Sequence, residues 1–81
     1  MKLTYDPKHN VAYISLHAKK NMQVKTLRLN DVLNIDVAPD GTVCGIELLN
    51  ANKQLRGKGK AKFIVENTAT GKSAKFDLTQ K

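Results

Sequence analysis

The stretch that decides the fold is residues 34–50, NIDVAPDGTVCGIELLN, in which two β-type runs flank Pro39-Asp40-Gly41. Proline presets the φ angle of the second position of a type I turn, and aspartate suits the third. Glycine can then take the left-handed conformation that closes a hairpin. We therefore predict an antiparallel hairpin whose two arms are residues 32–37 and 42–49.

The register of this hairpin predicts which side chains share a face. We take Ala38 and Thr42 as the first pair beyond the turn. An unbroken register then places Glu47 on the same face as Leu33 and Ile35. Both faces are partly apolar in this register, whereas a sheet with one solvated face alternates more cleanly. We expect a helix, the last hairpin or a second subunit to cover part of the second face.

Alternating apolar and polar residues predict further strands on both sides of the central hairpin. A turn around Pro7 separates the first two strands, and a short helix near residues 50–56 has Asn50 as its N-cap and Gly57 at its C′ position. The remaining predicted strands are residues 2–6, 11–17, 24–29, 61–66 and 73–78.

These elements predict a mainly β protein, an antiparallel meander of hairpins with one short helix near residues 50–56. A β-rich α+β arrangement is the alternative. The 81 residues make one domain with a small core, in which a deep catalytic cavity is hard to accommodate. Oligomerisation is a common way for so small a chain to complete its core, so we predict a homodimer.

The single cysteine, Cys44, excludes a disulfide within the chain, and a reducing cytoplasm is the simplest location. We expect Cys44 to be a small, half-buried apolar side chain in a strand. No apolar run approaches the roughly 20 residues that a membrane-spanning helix needs. We therefore expect a cytoplasmic protein with no leader and no membrane association.

The net charge of +7 is concentrated in the last third of the chain. Residues 1–50 carry six basic and five acidic side chains, whereas residues 51–81 carry eight basic and two acidic ones. Such an asymmetry is typical of a surface for nucleic acid or an acidic partner, and also of a merely solvated face. The candidate contacts are Lys53, Arg56, Lys58, Lys60, Lys62, Lys72 and Lys75.

No recognised catalytic set is present: the chain lacks a serine nucleophile elbow, a phosphate-binding glycine loop and a pair of cysteines for zinc. Its two histidines, His9 and His17, lie at opposite ends of one predicted strand, about 25 Å apart at the usual rise per residue. We therefore expect no shared metal, no cofactor and no enzymatic activity.

Three polar residues nevertheless form a candidate functional cluster. Glu47 on an apolar face would have a raised pKa suited to acid–base chemistry, unless it reaches water or pairs with Lys25. Asp6 and Tyr5 beside Tyr13 form a second arrangement, for which ordinary cross-strand packing of the two tyrosines is the alternative. An enzyme that uses Glu47 or Asp6 with Tyr13 is our third functional hypothesis.

The segments KLTYDP, VAYISL and VKTLRLNDVLNIDVAPDGTVCGIELLNA resemble a small prokaryotic domain of unknown function, DUF2283, over about residues 2–55. The resemblance implies a small β-rich fold, a cytoplasmic location and no established activity or catalytic residues. Asn10 stands where the family pattern often has Asp, and residues 57–81 form a basic hairpin extension beyond the family-like core. Some relatives look like the smaller partners of toxin-like neighbours, which suggests an antitoxin-like role by association.

The leading hypothesis is a non-enzymatic protein-interaction or structural module. The alternative is nucleic-acid binding through the basic C-terminal third. Steep salt dependence of binding would distinguish the second hypothesis from the first.

Overall fold

The computed structural model describes residues 1–17, 23–56 and 62–78, which form seven strands and one helix. The mainly β, antiparallel class predicted from the sequence is confirmed, with the helix α1 at Ala51–Arg56. The strands are β1 (Lys2–Asp6), β2 (Val11–Ser15), β3 (Lys25–Asn30), β4 (Leu33–Val37), β5 (Val43–Leu49), β6 (Lys62–Glu66) and β7 (Ser73–Asp77).

Five of the strands form one antiparallel sheet in the order β1-β2-β5-β4-β3. Each of the hairpins β1–β2, β3–β4 and β4–β5 joins strands that follow one another in the chain, as expected of a meander. The pairing of β2 with β5 is different, because it joins strands separated by β3 and β4. This long-range pairing places β5 at the centre of the sheet and β3 at its edge.

The central hairpin has the predicted turn. The N–H of Gly41 donates to the carbonyl of Ala38 at 2.9 Å, and Gly41 has a φ angle of +93°. The side chain of Asp40 supports the turn by accepting the N–H of Thr42 at 2.9 Å. The type I turn followed by a left-handed glycine is therefore confirmed.

The register beyond this turn differs from the unbroken one. Val37 pairs with Val43 as expected, but Asp36 pairs with Gly45, so Cys44 is an extra residue in a β-bulge. A shift of one residue moves every later side chain of β5 to the other face. The prediction that Glu47 shares a face with Leu33 and Ile35 is therefore wrong, because Glu47 pairs with Asn34.

Because of the bulge, the aliphatic side chains of β5 face the same way as those of β4. The five-stranded sheet therefore has one largely apolar face and one largely polar face. The prediction that both faces of the central hairpin are partly apolar holds only at the end away from the turn, where Leu49 lies on the same face as Glu47. A row of aliphatic side chains crosses all five strands on the apolar face: Leu3, Ile14, Ile46, Ile35 and Leu27. The neighbouring row on the polar face is Thr4, Tyr13, Glu47, Asn34 and Arg28.

Asparagine side chains fix α1 to one end of the sheet. Asn10 Oδ1 accepts the N–H of Asn52 at 2.7 Å, and Asn10 Nδ2 donates to the side-chain oxygens of Asn50 and Asn52. Asn10 and Asn50 have φ angles of +58° and +56°, a conformation that asparagine tolerates better than most residues. The predicted helix near 50–56 is confirmed, while Gly57 lies outside the described residues.

The strands β6 and β7 form a separate two-stranded sheet. Phe63 pairs with Phe76 and Val65 with Ala74, which gives this hairpin one apolar face. That face lies over the β1–β2 side of the larger sheet, with an open apolar cavity of about 420 Å³ between them. The cavity is lined by Met1, Leu3, Ile14, Phe63, Val65, Phe76 and Leu78.

Candidate functional site

The polar face carries a hydrogen-bonded network centred on Asp36. The hydroxyl of Tyr13 donates to Asp36 Oδ2 at 2.6 Å, and the hydroxyl of Thr26 donates to Oδ1 at 2.7 Å. These three residues come from β2, β4 and β3, so the network joins strands that are not all neighbours. Both oxygens of this partly buried carboxylate therefore have strong neutral donors.

Gly45 of β5 makes this contact possible. The Tyr13 side chain crosses directly over Gly45, and a Cβ atom there would overlap the phenol ring and hydroxyl of Tyr13. Gly45 itself is buried beneath the ring. A glycine in the middle of a strand is unfavourable by itself, and here it permits a side chain to span a neighbouring strand.

Glu47 lies next to this network on the polar face. It is the cross-strand partner of Tyr13 on β2, and it accepts a hydrogen bond from Asn34 Nδ2 at 2.8 Å. The predicted association of Glu47 with Tyr13 is therefore present. The apolar surroundings that would favour acid–base chemistry at Glu47 are absent, because the bulge places this side chain on the face opposite the aliphatic row.

Asp6, the third member of the predicted cluster, has a local role instead. It lies at the end of β1 opposite Val11, and its oxygens accept the backbone N–H groups of Lys8 and His9. Its Oδ2 also lies 2.7 Å from the ring nitrogen Nδ1 of His9. The His9 side chain, with help from the backbone N–H groups, lowers the pKa of Asp6 below its ordinary value of 3.8.

The predicted basic residues are distributed over two elements. Lys53 is exposed on α1, whereas Lys62 and Lys75 are exposed on the hairpin β6–β7, where Lys62 pairs with Asp77. Lys72 is exposed just before β7, and Arg56 ends α1. Lys58 and Lys60 lie outside the described residues. Within the described hairpin, residues 62–78, three lysines are opposed by two acidic residues, so its charge is close to neutral.

The apolar face of the five-stranded sheet is only partly buried by the described part of the chain. None of the large aliphatic or aromatic side chains in the described part of the chain is buried. The buried apolar residues there are Ala12, Ala38, Cys44 and Ala51. Cys44 is thus wholly buried, deeper than the half-buried position expected from sequence.

We use the name β3–β4 patch for Lys25, Leu27, Ile35 and Val37, which share the apolar face on the side away from the β6–β7 hairpin. Leu27 is 41% exposed, and an open concavity of about 710 Å³ lies beside it. The concavity is lined by Gln23, Val24, Lys25, Leu27, Val37, Ala38 and Pro39. This patch is the candidate interaction surface.

Within the described ranges, no three His, Cys, Asp or Glu side chains are grouped in a way that could hold a metal ion. The same ranges contain no helix that is both long and apolar enough to cross a bilayer. The polar face presents a hydrogen-bonded carboxylate network centred on Asp36.

Sequence reasoning missed Asp36 and Gly45 as members of the polar network. Asp36 interrupts an apolar strand, and Gly45 interrupts the following one, which is a pattern that often marks a close approach of another side chain. That signal does not identify Tyr13 as the partner. Its identification requires the pairing of β2 with β5.

Comparison with known proteins gives a family but no activity. The "Uncharacterized protein YuzE" of Bacillus subtilis (strain 168) is 37% identical over 71 residues. This match covers 82% of the present chain and 55% of the Bacillus protein, so the chain spans about half of that curated relative. No solved structure matches the chain significantly. Residues 2–52 match the family described as "Protein of unknown function (DUF2283)", and the chain therefore belongs to that family.

Proposed function

We propose that this chain is a non-enzymatic interaction module that binds another polypeptide through the apolar face of its five-stranded sheet. The observation that carries the proposal is the burial pattern of the described residues. The buried apolar side chains are small, while every side chain of the aliphatic row from Leu3 to Leu27 remains partly exposed. Proteins that function alone bury such side chains preferentially.

The energetic consequence of this exposure is large for a chain of 81 residues. Complete burial of one Leu or Ile side chain stabilises a protein by roughly 1.5–3 kcal/mol relative to full exposure. The net stability of a small domain is only about 5–15 kcal/mol. Covering the partly exposed side chains of the aliphatic row would therefore add to the stability of the chain.

The proposal is tested with tagged wild-type protein and two variants, Leu27→Glu and Ile64→Glu. Leu27 belongs to the apolar face, whereas Ile64 is a comparably exposed side chain on the opposite face of the β6–β7 hairpin. Size measurement on purified protein detects self-association, and capture from a native host lysate detects other partners. We expect association of either kind to be lost in Leu27→Glu and kept in Ile64→Glu. A wild-type chain that remains a monomer and captures nothing would count against an interaction module.

An antitoxin-like role is one specific form of this proposal, in which the bound polypeptide is a toxin-like protein. Its support is the family resemblance, and a toxin-like reading frame beside the gene would strengthen it. The proposal also places the chain in a reducing cytoplasm, for which the single unpaired Cys44 is the supporting feature.

We propose nucleic-acid binding as the second candidate function, supported by the +6 balance of residues 51–81 and by exposed lysines on α1 and β7. If several lysines contact phosphates, the affinity for duplex or single-stranded DNA falls steeply as salt is raised. Binding that is absent at low salt, or that does not change with salt, removes this candidate.

A further inference from the structure

We infer that an extended segment of a partner protein adds to the free edge of β3 as a further antiparallel strand, with an acidic side chain opposite Lys25. This inference rests on the proposed function and adds the conformation, the charge and the position of the bound segment. Three observations carry it: the unpaired edge of β3, the exposure of its residues, and the distribution of charge among the edge strands.

The strand β3 is the last strand on its side of the five-stranded sheet. Its regular pairing with β4 runs from Lys25 to Arg28, and a bulge follows between Arg28 and Asn30. In the described chain β3 pairs only with β4, so alternate backbone N–H and C=O groups on its other side lack a ladder partner. The regular stretch 25–28 is therefore a template on which an extended peptide can form main-chain hydrogen bonds.

The side chains of β3 are accessible to such a peptide. All six residues of the strand are exposed, including Leu27 at 41% and Leu29 at 56%. The opposite edge strand of the same sheet, β1, differs, because Leu3 is half-buried beside the hairpin cavity. An open concavity of about 710 Å³ beside Lys25 and Leu27 leaves room for the side chains of an added strand. Of the two edges of the larger sheet, β3 is thus the more accessible.

Charge distinguishes β3 from the other strands that have an unpaired edge in the described chain. Those strands, β1, β6 and β7, each end in an acidic residue, whereas β3 carries Lys25 and Arg28 and no carboxylate. Arg28 already pairs with Asp31 at 3.0 Å. Among the described residues, no carboxylate lies within ion-pair distance of the amino group of Lys25. Lys25 is therefore the charge that is available to a partner.

The position of Lys25 selects the kind of partner. Lys25 pairs with Val37 and alternates with Leu27, so it is the one charged member of the β3–β4 patch. Opposite charges on directly opposed residues of two strands are favourable, and like charges there are unfavourable. A second copy of β3 would bring further positive charge to this edge, which disfavours it as the added strand. The favoured segment has an acidic residue opposite Lys25 and an apolar residue opposite Leu27.

The test follows the amide NMR signals of the purified full-length chain during titration with a synthetic peptide, Thr-Thr-Ile-Thr-Glu-Thr, blocked at both ends. Antiparallel pairing places its isoleucine opposite Leu27 and its glutamate opposite Lys25. We expect saturable shifts confined to β3 and its flanking residues at peptide concentrations up to about 1 mM. A peptide with lysine in place of the glutamate should bind about threefold more weakly.

Charge reversal on the protein tests the pairing directly. Lys25→Glu should bind the glutamate peptide about threefold more weakly and should prefer the lysine peptide, which restores the pair with the signs exchanged. Lys75→Glu is the matched control, because Lys75 is an exposed lysine on β7, and it should leave the affinities for both peptides unchanged. Dispersed amide signals verify that each variant is folded.

Three results would overturn the inference: no saturable shifts at about 1 mM peptide, shifts centred on another strand, or equal effects of Lys25→Glu and Lys75→Glu. If the peptide does not bind but Leu27→Glu abolishes capture of another polypeptide from lysate, this inference fails and the proposed interaction module stands. If neither the peptide nor the lysate gives a complex, the two proposals fail together.

Discussion

Gly45 and Tyr13 connect three strands of the sheet at the level of single residues. The tyrosine ring lies over the glycine, and its hydroxyl donates to Asp36 on the far side of β5. A glycine in a strand loses conformational entropy on folding and buries no side chain. The cost of glycine is offset here by the hydrogen bond from Tyr13 to Asp36, which joins β2 and β4, two strands that do not pair with each other.

We expect Gly45→Ala to destabilise the protein by about 2–3 kcal/mol, because the added methyl group forces the Tyr13 ring away from Asp36. Urea unfolding measures this change in the free energy of unfolding. In a Tyr13→Ala background the same substitution should cost less than about 1 kcal/mol, since the overlapping ring is gone. Equal costs in both backgrounds would show that the ring is not what requires glycine.

Tyr13→Phe tests the hydrogen bond separately from the packing. Its loss leaves Asp36 Oδ2 without that donor and should cost about 1–2 kcal/mol in the same urea experiment. Tyr5→Phe is the matched control, because Tyr5 pairs with Ala12 in a row on the opposite face. We expect the control to change stability by less than about 0.5 kcal/mol, and a similar loss in both variants would contradict the role of the network.

At the scale of elements, α1 depends on a residue far away in sequence. Asn10 lies in the β1–β2 turn, and its side chain accepts the N–H of Asn52 in the first turn of the helix. The carbonyl of Asn10 also accepts the N–H of Ala51 at 3.0 Å. A helix of six residues is not stable alone in water, so these contacts and the burial of Ala51 hold it.

Asn10→Ala should destabilise the protein by about 2–3 kcal/mol, through loss of the side-chain bonds and through the strain of alanine at positive φ. Asn10→Asp, the residue that the family pattern often has here, keeps the acceptor for Asn52 and tolerates positive φ, so we expect a smaller loss of about 1 kcal/mol. Chemical denaturation compares the two. An equal loss in both variants would show that the acceptor for Asn52 contributes little.

Asp6 and Asp40, at two of the hairpin turns, are predicted to respond to acid. Hydrogen bonds lower the pKa of Asp6, chiefly from His9, and that of Asp40, chiefly from the backbone N–H of Thr42. A lowered folded-state pKa means that the stabilisation is present above the unfolded value of 3.8 and is lost as the pH falls through the folded pKa. Carboxyl-carbon NMR titrations should give values below 3.8 for both residues.

The His9→Ala variant provides the control for this titration. It should raise the pKa of Asp6 towards 3.8 and leave that of Asp40 unchanged, because Asp40 takes its main hydrogen bond from Thr42. An unchanged pKa of Asp6 in this variant would show that the His9 side chain is not the main cause.

At the scale of the whole molecule, the chain consists of a five-stranded sheet with its helix and a separate hairpin. No strand pairing in the described chain joins the two sheets, and the family match ends at residue 52. The two parts meet through apolar side chains around an open cavity. The larger sheet is therefore expected to fold without the hairpin.

A chain of residues 1–56 should keep the amide NMR signals of β1 to β5 in their native positions, except near Leu3 and Ile14, where the hairpin side chains are removed. Residues 57–81 alone should give an unfolded spectrum, because an isolated two-stranded hairpin is marginal in water. An unfolded 1–56 chain would show that the hairpin is required for the larger sheet.

Much of the fold was predictable because it depends on neighbouring residues. Alternation with a period of two located the strands, and Pro39-Asp40-Gly41 specified a turn that the structure confirms. The polar site was only partly predictable. The predicted polar cluster contained Tyr13 and Glu47 but not Asp36. It also contained Asp6, whose hydrogen bonds are with Lys8 and His9 of its own turn.

Residue order alone thus specifies the strands, the turns and the short helix, since φ preferences and side-chain alternation act over a few residues. The pairing of β2 with β5 and the bulge at Cys44 depend on contacts between distant parts of the chain. A single extra residue in a strand exchanges its faces, so the positions of Glu47 and the aliphatic row follow from those contacts. The apolar face on which the proposed function rests, like the polar face opposite it, is a product of strand packing, which local sequence does not specify.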